Sequence, residues 1–194
     1  MKFTQLSITL SVFFSCALAG AATLELTHPD NKVEFLAVGK PSAIKIRGEM
    51  KTDKVKQPLT GKITFEGDKV TGNTEILLDA FDTGIELRNQ HMKEKYLEVG
   101  KFPKASLKIS EMKLPSAEKE VTADDVPFSG MLTLHGKEKP VKGTAKVAKK
   151  ADKADLTFKF EIATTDFGIE TPSYLGIKVT DAVKVTTQVT GPLK

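Results

Sequence analysis

The chain has 194 residues with a formal net charge of +4, so it is long enough for one domain with a sizeable core. Its lysines are denser over Lys51–Lys56 and Lys137–Lys153, which predicts a solvated surface of edge strands and turns. With no Trp and two Tyr, the chain lacks the interleaved aromatics of a nucleic-acid-binding surface. At most, a weak attraction to anionic lipid headgroups is expected.

The N-terminus has the pattern of a secretory signal. Lys2 precedes an apolar run over Leu6–Phe14, and small residues follow at Ala19 and Ala21. The run is shorter than the roughly 20 residues that span a bilayer. We therefore predict a signal peptide over 1–21, cleaved near Ala19 or Ala21, and a soluble periplasmic or secreted domain over 22–194.

Cys16 is the only cysteine and falls inside the predicted signal. A lipoprotein anchor at Cys16 is the less favoured alternative, because Phe13, Phe14 and Ser15 lack the aliphatic residue expected upstream. After cleavage no thiol remains, so no disulfide is expected even in an oxidising compartment.

Period-two alternation of apolar and polar residues dominates the rest of the chain, and predicts strands with one buried and one wet face. About eight strands at regular spacing favour an antiparallel barrel or sandwich, between which periodicity alone does not choose. The clearest apolar sets are Val33, Phe35, Ala37; Ile44, Ile46; Ile63, Phe65; Ala105, Leu107, Ile109; Val126, Phe128, Leu132, Leu134; Val141, Ala145, Val147; Leu156, Phe158, Phe160, Ile162; and Val179, Val183, Val185, Val189.

One segment departs from this alternation. Between Asp82 and Pro103 the apolar residues recur at three- and four-residue steps, which predicts one short helix at about 85–99 that covers one opening of a curled sheet. Asp82 or Thr83 is the expected N-cap, and Gly100 the expected end.

The same segment and two later ones contain a recognisable series of short motifs. They are Asp82-Thr83-Gly84, Arg88, His91, Tyr96-Leu97-Glu98-Val99, Lys101-Phe102-Pro103, the stretch Phe128–Gly136 with Lys139-Pro140-Val141, and Asp166-Phe167-Gly168. This series resembles the signature of the YceI family, which consists of lipid-binding, lipocalin-like barrels of bacterial envelopes. Asn89 departs from the Asp that commonly follows the family's Arg, and Leu107 stands where a Phe is usual.

The resemblance implies an all-β, antiparallel, lipocalin-like eight-stranded β-barrel that binds a polyisoprenoid, quinone-like or fatty-acid-like lipid for transport or storage in the envelope. No cofactor is expected apart from such a bound lipid. The cavity lining would be Phe35, Ile46, Ile63, Phe65, Leu107, Ile109, Phe128, Leu132, Leu134, Leu156, Phe158, Phe160, Val183 and Val185. The polar residues for its mouth would be Asp82, Arg88, His91 and Asp166. A structural role is the favoured alternative for them: Arg88 would pair with a carboxylate that holds the helix, and Asp82 would serve only as its cap.

Small residues among the inward-facing positions favour a cavity, since they leave room that large ones would fill. They are Ala37, Gly48, Gly61, Ala105, Gly130, Gly143 and Ala145. A strand of about eight residues rises roughly 26 Å, so an extended tail could run the length of a barrel. A tail of about 40 heavy atoms at about 0.3 kcal/mol each would gain about 12 kcal/mol, which is near-nanomolar affinity. The alternative is a packed core in which the small residues ease strand curvature.

Residues for catalysis are scarce. His28, His91 and His135 do not have the spacing of a metal site, and no metal is expected. His135 has the opposite parity to Leu132 and Leu134, so it should point outward. No G-x-S-x-G, P-loop or G-x-G-x-x-G motif is present, and we therefore expect no enzyme and no catalytic residue.

Two other functions stay open. One is a structural or stress-response barrel that acts on a protein partner through its outer surface, and the other is an isoprenoid-modifying enzyme. The sequence also leaves the choice between a monomer and a homodimer open.

Overall fold

The computed structural model describes residues 20–40, 44–53, 55–174 and 177–194. Apart from Gly20 and Ala21, the predicted signal peptide and Cys16 lie outside the described residues. Among these residues, no helix is both long and apolar enough to cross a membrane.

The described residues form a single antiparallel sheet with twelve strand segments. These are β1 (Ala22–Glu25), β2 (Lys32–Lys40), β3 (Ile44–Met50), β4 (Leu59–Glu66), β5 (Lys69–Leu77), β6 (Phe81–Asp82), β7 (Lys104–Met112), β8 (Val121–Leu134), β9 (Lys137–Lys149), β10 (Lys153–Ala163), β11 (Ser173–Tyr174) and β12 (Ile177–Pro192). They lie in the order β1-β4-β5-β7-β8-β9-β10-β12-β2-β3-β6, with β11 paired to β12.

The sheet curls until its first strand meets its longest one. Leu24 pairs with Leu193, and Thr23 and Lys194 exchange two backbone hydrogen bonds of 2.9 and 3.0 Å. The path from β1 to β12 therefore returns to its start after eight strands, which confirms the predicted barrel-like, all-β architecture. The predicted count of about eight strands was too low: the sheet has twelve segments, and the two-residue β6 and β11 lie outside the predicted apolar sets.

The alternating patterns place the apolar residues inside. On β10, Leu156, Phe158 and Phe160 are buried, while the intervening Lys159 and Glu161 are exposed. The same holds for the predicted sets on β7, β8 and β9. Alternation therefore predicted the inner face correctly, because each pleated strand buries every second side chain.

Three helical segments interrupt the strands. The 3₁₀ turns are Leu78–Ala80 and Thr164–Phe167, and the longest segment is α1 (Glu86–Gln90), which continues as a π-helix over His91–Tyr96. The predicted helix at 85–99 is thus real but shorter. Its Met92 and Tyr96 pack against the hydrophobic core, at the end of the sheet where β8 turns into β9.

The predicted ends of this helix were wrong. Its N-cap is Ile85, which makes no side-chain capping bond. The last helical residue is Tyr96, and the chain then turns at Glu98, whose φ is 46°. Gly100 therefore lies within a separate turn, in which the Glu98 carbonyl accepts backbone hydrogen bonds from Lys101 and Phe102, both 2.8 Å long.

Candidate functional site

The inside of the sheet is solid at the end where β1 pairs with β4. Leu24, Leu26, Ile63, Val70 and Val147 have no exposed surface at all, so no water-sized space adjoins them. Of the predicted lining residues, Ile63, Phe65, Ile109, Phe128, Leu156 and Phe158 belong to this closed region, each at 3% exposure or less. The expectation of a hollow that runs the whole length of the barrel was therefore wrong.

The inside is looser on three adjacent strands at the other end. Val185 pairs with Phe35, and Ala37 pairs with both Val183 and Ile46, so these inward residues form one patch on β12, β2 and β3. Unlike the residues of the closed end, Phe35, Ile46, Val183 and Val185 are only partly buried. We call this patch, together with the partly exposed Thr187, the apolar recess.

The remaining predicted lining residues lie on β7, β8 and β10. Phe160 pairs directly with Val185, and Leu107, Leu132 and Leu134 lie on β7 and β8. All four are buried, at 7 to 9% exposure, and are thus slightly more open than the closed end. Along β2, the levels of the more exposed inward side chains run from Val33, whose partner is Thr187, to Gly39, whose partner on β3 is the exposed Ile44. That is about 20 Å of strand.

The small inward residues do not create this space. A Cβ atom at Gly143 would lie 2.8 Å from both Phe128 and Phe160, and one at Gly48 would collide with the ring of Phe35. Ala37, Ala105 and Ala145 are buried in the core, and a Cβ at Gly61 or Gly130 would meet the backbone of the neighbouring strand. Neighbouring aromatic rings and strands fill the volume that these residues leave, so the argument from small residues was wrong.

A polar cavity lies beside the helix. Its volume is about 550 Å³, and Phe81 and Val99 supply its apolar wall. The ring of Phe81 packs edge-on against Phe35 at 5.5 Å, so this aromatic pair stands between the polar cavity and the recess. The other lining residues are Lys51, Asp79, Ala80, Asp82, Glu86, Asn89, Gln90, Lys93, Glu94 and Gly100.

Both lysines of the polar cavity have carboxylate partners. Lys93 Nζ lies 3.0 Å from Asp79 Oδ1, and Lys51 pairs with Glu49. The hydrogen bond and charge of Glu49 raise the pKa of the Lys51 ammonium. Since Lys51 is solvent-exposed at its ammonium, water screens this pair and it adds little to stability.

Asp82 and Arg88, two of the predicted mouth residues, join one hydrogen-bond network. The amide nitrogen of the buried Asn89 donates to Asp82 Oδ1 at 2.8 Å, and its oxygen accepts from the Thr83 hydroxyl at 2.6 Å. Arg88 donates to the hydroxyl and carbonyl of Thr83. Asn89 is therefore the centre of the network, and Asp82 stabilises the turn before the helix by accepting from Gly84 N at 2.7 Å.

The other two mouth candidates lie apart from this network. His91 is exposed on the first turn of the π-helix, and Asp166 is exposed in the 3₁₀ turn after β10. Nothing in the described contacts brings them to Asp82 or Arg88.

The sequence interpretation missed a connection through His135. Its side chain is 13% exposed and lies 2.6 Å from Glu98 and 3.2 Å from the Phe167 carbonyl oxygen. Phe102 packs on its ring at 4.5 Å. The expected outward orientation was wrong because strand alternation ends at Leu134, and His135 adopts a left-handed φ of 51° in the following turn.

The carboxylate and histidine groups of the site are spread out. Among the described residues, no three His, Cys, Asp or Glu side chains come together in a group that could hold a metal ion. The feature that distinguishes this end of the molecule is the apolar recess beside a polar cavity.

Comparison with solved structures shows the same fold in several bacterial proteins. The chain matches Burkholderia cenocepacia BcnA with a TM-score of 0.65 at 18% identity, covering 83% of this chain and 96% of that one. It matches a polyisoprenoid binding domain from Saccharophagus degradans, implicated in plant cell wall breakdown, with a TM-score of 0.62 at 16% identity over 88% and 96%. A Campylobacter jejuni YceI protein matches with a TM-score of 0.59 at 16% identity over 77% and 85%.

At the level of sequence, the relationship is visible through a family profile. No curated protein matches it significantly. The family profile for the YceI-like domain, however, matches residues 27–191, which is most of the chain. This confirms the resemblance found around Asp82–Pro103: the chain belongs to the YceI family.

Proposed function

We propose that the protein binds a long apolar molecule, of the polyisoprenoid, quinone or fatty-acid class, in the apolar recess. The observation that carries the proposal is the partial exposure of Phe35, Ile46, Val183 and Val185 on the inner face of an otherwise closed sheet. Such side chains gain free energy when an apolar molecule replaces water beside them. The description of one structural neighbour as a polyisoprenoid binding domain supports this class of ligand.

The length of the recess along the strands limits how much of the ligand is buried. A recess of about 20 Å holds about three quarters of the tail that would fill a strand length of about 26 Å. About 30 heavy atoms at about 0.3 kcal/mol each gain about 9 kcal/mol, which corresponds to sub-micromolar affinity. We expect the remainder of a longer tail, or its headgroup, to extend past the rim or toward the polar cavity.

The proposed role is non-covalent carriage or storage of this lipid in the cell envelope, without chemical conversion. The envelope location follows from the signal-like pattern at 1–21. Mass spectrometry of the protein purified under native conditions should find a bound apolar molecule. A preparation that contains none, and that also fails to bind cis-parinaric acid or a polyisoprenol after delipidation, would contradict the proposal.

A matched pair of variants tests the position of the site. Val185→Trp fills the recess between Phe160 and Phe35, and should weaken binding of cis-parinaric acid at least tenfold. Thr157→Trp places the same ring on the outer face of β10, and should bind as the wild type does. Equal binding by both variants would place the ligand elsewhere and would favour a role of the outer surface.

A further inference from the structure

The outer face of β12, β2 and β3 carries a dense group of positive charges directly behind the recess. Lys178 pairs with Lys40, and Lys184 and Arg47 both pair with Leu36. Lys45 pairs with Val38 on the same face. We call Lys40, Lys45, Arg47, Lys178 and Lys184 the basic face; all five are exposed.

These charges are not neutralised in the part of the chain that the structure describes. The lysines that form ion pairs within 4.0 Å there are Lys51, Lys93, Lys104, Lys113, Lys146 and Lys153, none of which belongs to the basic face. No acidic residue occurs in the sequence between 35 and 48 or between 171 and 180.

Acidic groups border the basic face without occupying it. Glu161 lies opposite Lys184 on β10, and Glu34 and Glu49 form the next cross-strand row. Asp181 accepts a hydrogen bond from Thr165 at the bulge of β12. The basic face therefore has a positive centre that extends over about four residues of β2, and it is bordered by the acidic row of Glu34 and Glu49.

Apolar side chains lie within and beside this positive surface. Leu36 and Val38 are half-buried between the basic side chains. Ile44, at the start of β3 and on the recess side of that strand, is 44% exposed and is one of the three large exposed hydrophobics of the described chain. Among the described side chains, no aromatic ring interleaves with the lysines of the basic face, as a nucleic-acid surface would need.

We propose that the basic face docks the protein on an anionic lipid bilayer through the strand ends at Lys40, Lys45 and Lys178, and so brings the rim of the recess to the headgroup region. Basic residues near such a surface attract anionic lipids by about 1 kcal/mol each. Ile44 lies at the same rim, on the recess side of β3 and opposite Gly39, so in this edge-on orientation it can reach the headgroups. The inference rests on the proposed lipid-binding function, because docking on the strands that form the recess shortens the path of a tail between bilayer and protein.

The test measures co-sedimentation of the full chain with vesicles. Vesicles of equal parts phosphatidylcholine and phosphatidylglycerol should bind the protein, whereas pure phosphatidylcholine should not, and high salt should release it. The triple variant Lys45→Glu, Arg47→Glu, Lys184→Glu should bind the anionic vesicles about a hundredfold more weakly, since each lost cation removes roughly a fivefold contribution. Wild-type binding by this variant would overturn the proposal.

The control variant reverses the same number of charges elsewhere. Lys62, Lys108 and Lys142 are exposed on β4, β7 and β9, and their triple reversal should keep most of the vesicle binding. An equal loss in the control would show that only the net charge matters, and would contradict a localised dock. Wild-type protein that ignores anionic vesicles would overturn the proposal outright.

Two further measurements distinguish a bilayer dock from a site for acidic polymers and from the recess itself. Ile44→Ser should reduce vesicle binding without changing binding to soluble polyglutamate. If polyglutamate displaces the wild-type protein from labelled vesicles as effectively as unlabelled vesicles do, the face recognises an acidic polymer and the bilayer proposal fails. The basic-face variant should still bind cis-parinaric acid in solution, whereas Val185→Trp should lose that probe but keep vesicle binding. The two proposals can therefore fail independently.

Discussion

His135 Nε2 lies 2.6 Å from Glu98 Oε2, and this contact joins the β8–β9 turn to the segment that follows the helix. The same imidazole reaches the Phe167 carbonyl oxygen in the 3₁₀ turn after β10. One side chain therefore connects three chain segments at the end of the sheet that carries the recess. A hydrogen bond to a carboxylate contributes about 1.5–3 kcal/mol, so this connection is a substantial local constraint.

Replacing His135 by Ala should lower the free energy of unfolding by about 2–3 kcal/mol, because the imidazole's contacts with the Glu98 carboxylate, the Phe167 carbonyl oxygen and the Phe102 ring are lost together. Urea denaturation measures the change. His91→Ala is the control: His91 is exposed, and its removal should change stability by no more than about 0.5 kcal/mol. Equal effects of the two substitutions would mean that the His135 contacts do not stabilise the fold.

Asn89→Asp should destabilise the protein by about 1–3 kcal/mol. The substitution replaces the amide donor to Asp82 by an oxygen, so a buried hydrogen bond becomes a contact between two carboxylates. Thermal unfolding measures the loss. The double variant Asp82→Asn, Asn89→Asp returns a donor to the pair and should recover much of the stability; a double variant no more stable than Asn89→Asp would contradict this role of Asn89.

The two ends of the inside should respond differently to truncation. Ile63→Ala leaves a cavity in the closed end and should cost about 2–5 kcal/mol, with little effect on lipid binding. Ile46→Ala removes a side chain that is already partly exposed, and should cost less than half as much while weakening lipid binding. Chemical denaturation measures the free energy of unfolding, and titration with cis-parinaric acid measures lipid binding. If the two variants behaved alike in both measurements, the inside would be uniform, and the division into a closed end and a recess would be refuted.

Gly143→Ala should destabilise the protein by about 1–3 kcal/mol, because the added methyl group would collide with the Lys159 carbonyl oxygen and lie 2.8 Å from the Phe128 ring and from Phe160 Cβ. Gly100→Ala is the matched control, since a Cβ there has no neighbour within 4 Å. Its effect should stay within about 0.5 kcal/mol. A neutral Gly143→Ala would mean that β9 can shift away from β10 and from Phe128 without loss of stability.

Phe160→Glu and Leu132→Glu should abolish lipid uptake, since an uncompensated carboxylate facing the recess costs several kcal/mol to bury. Lys153→Glu changes charge at an exposed position on β10 and should bind lipid normally. Binding is measured by probe fluorescence on variants whose circular dichroism confirms folding. Retained uptake by folded Phe160→Glu would remove Phe160 from the binding surface.

Local pattern was sufficient for much of the molecule. Alternation along β10 gave both the strand and its inner face, since a pleated strand buries every second side chain whatever its partners are. The three- and four-residue spacing before Gly100 likewise gave the helix, and the motif around Arg88 gave the family. The start of the helix could not be predicted, because the Asp82 carboxylate can either cap the helix or accept hydrogen bonds from Asn89 and Gly84. Only the folded turn selects between these two roles.

The sequence by itself determined which side chains are turned inward, because that depends on parity within one strand. Only the tertiary structure decided where those inward side chains touch one another and where they leave space. Phe35 fills the gap above Gly48, and Phe128 and Phe160 fill the one above Gly143, whereas Val183 and Val185 remain open to water. Packing depends on residues far apart in the chain that meet across the sheet, so no local pattern could separate the closed end from the recess.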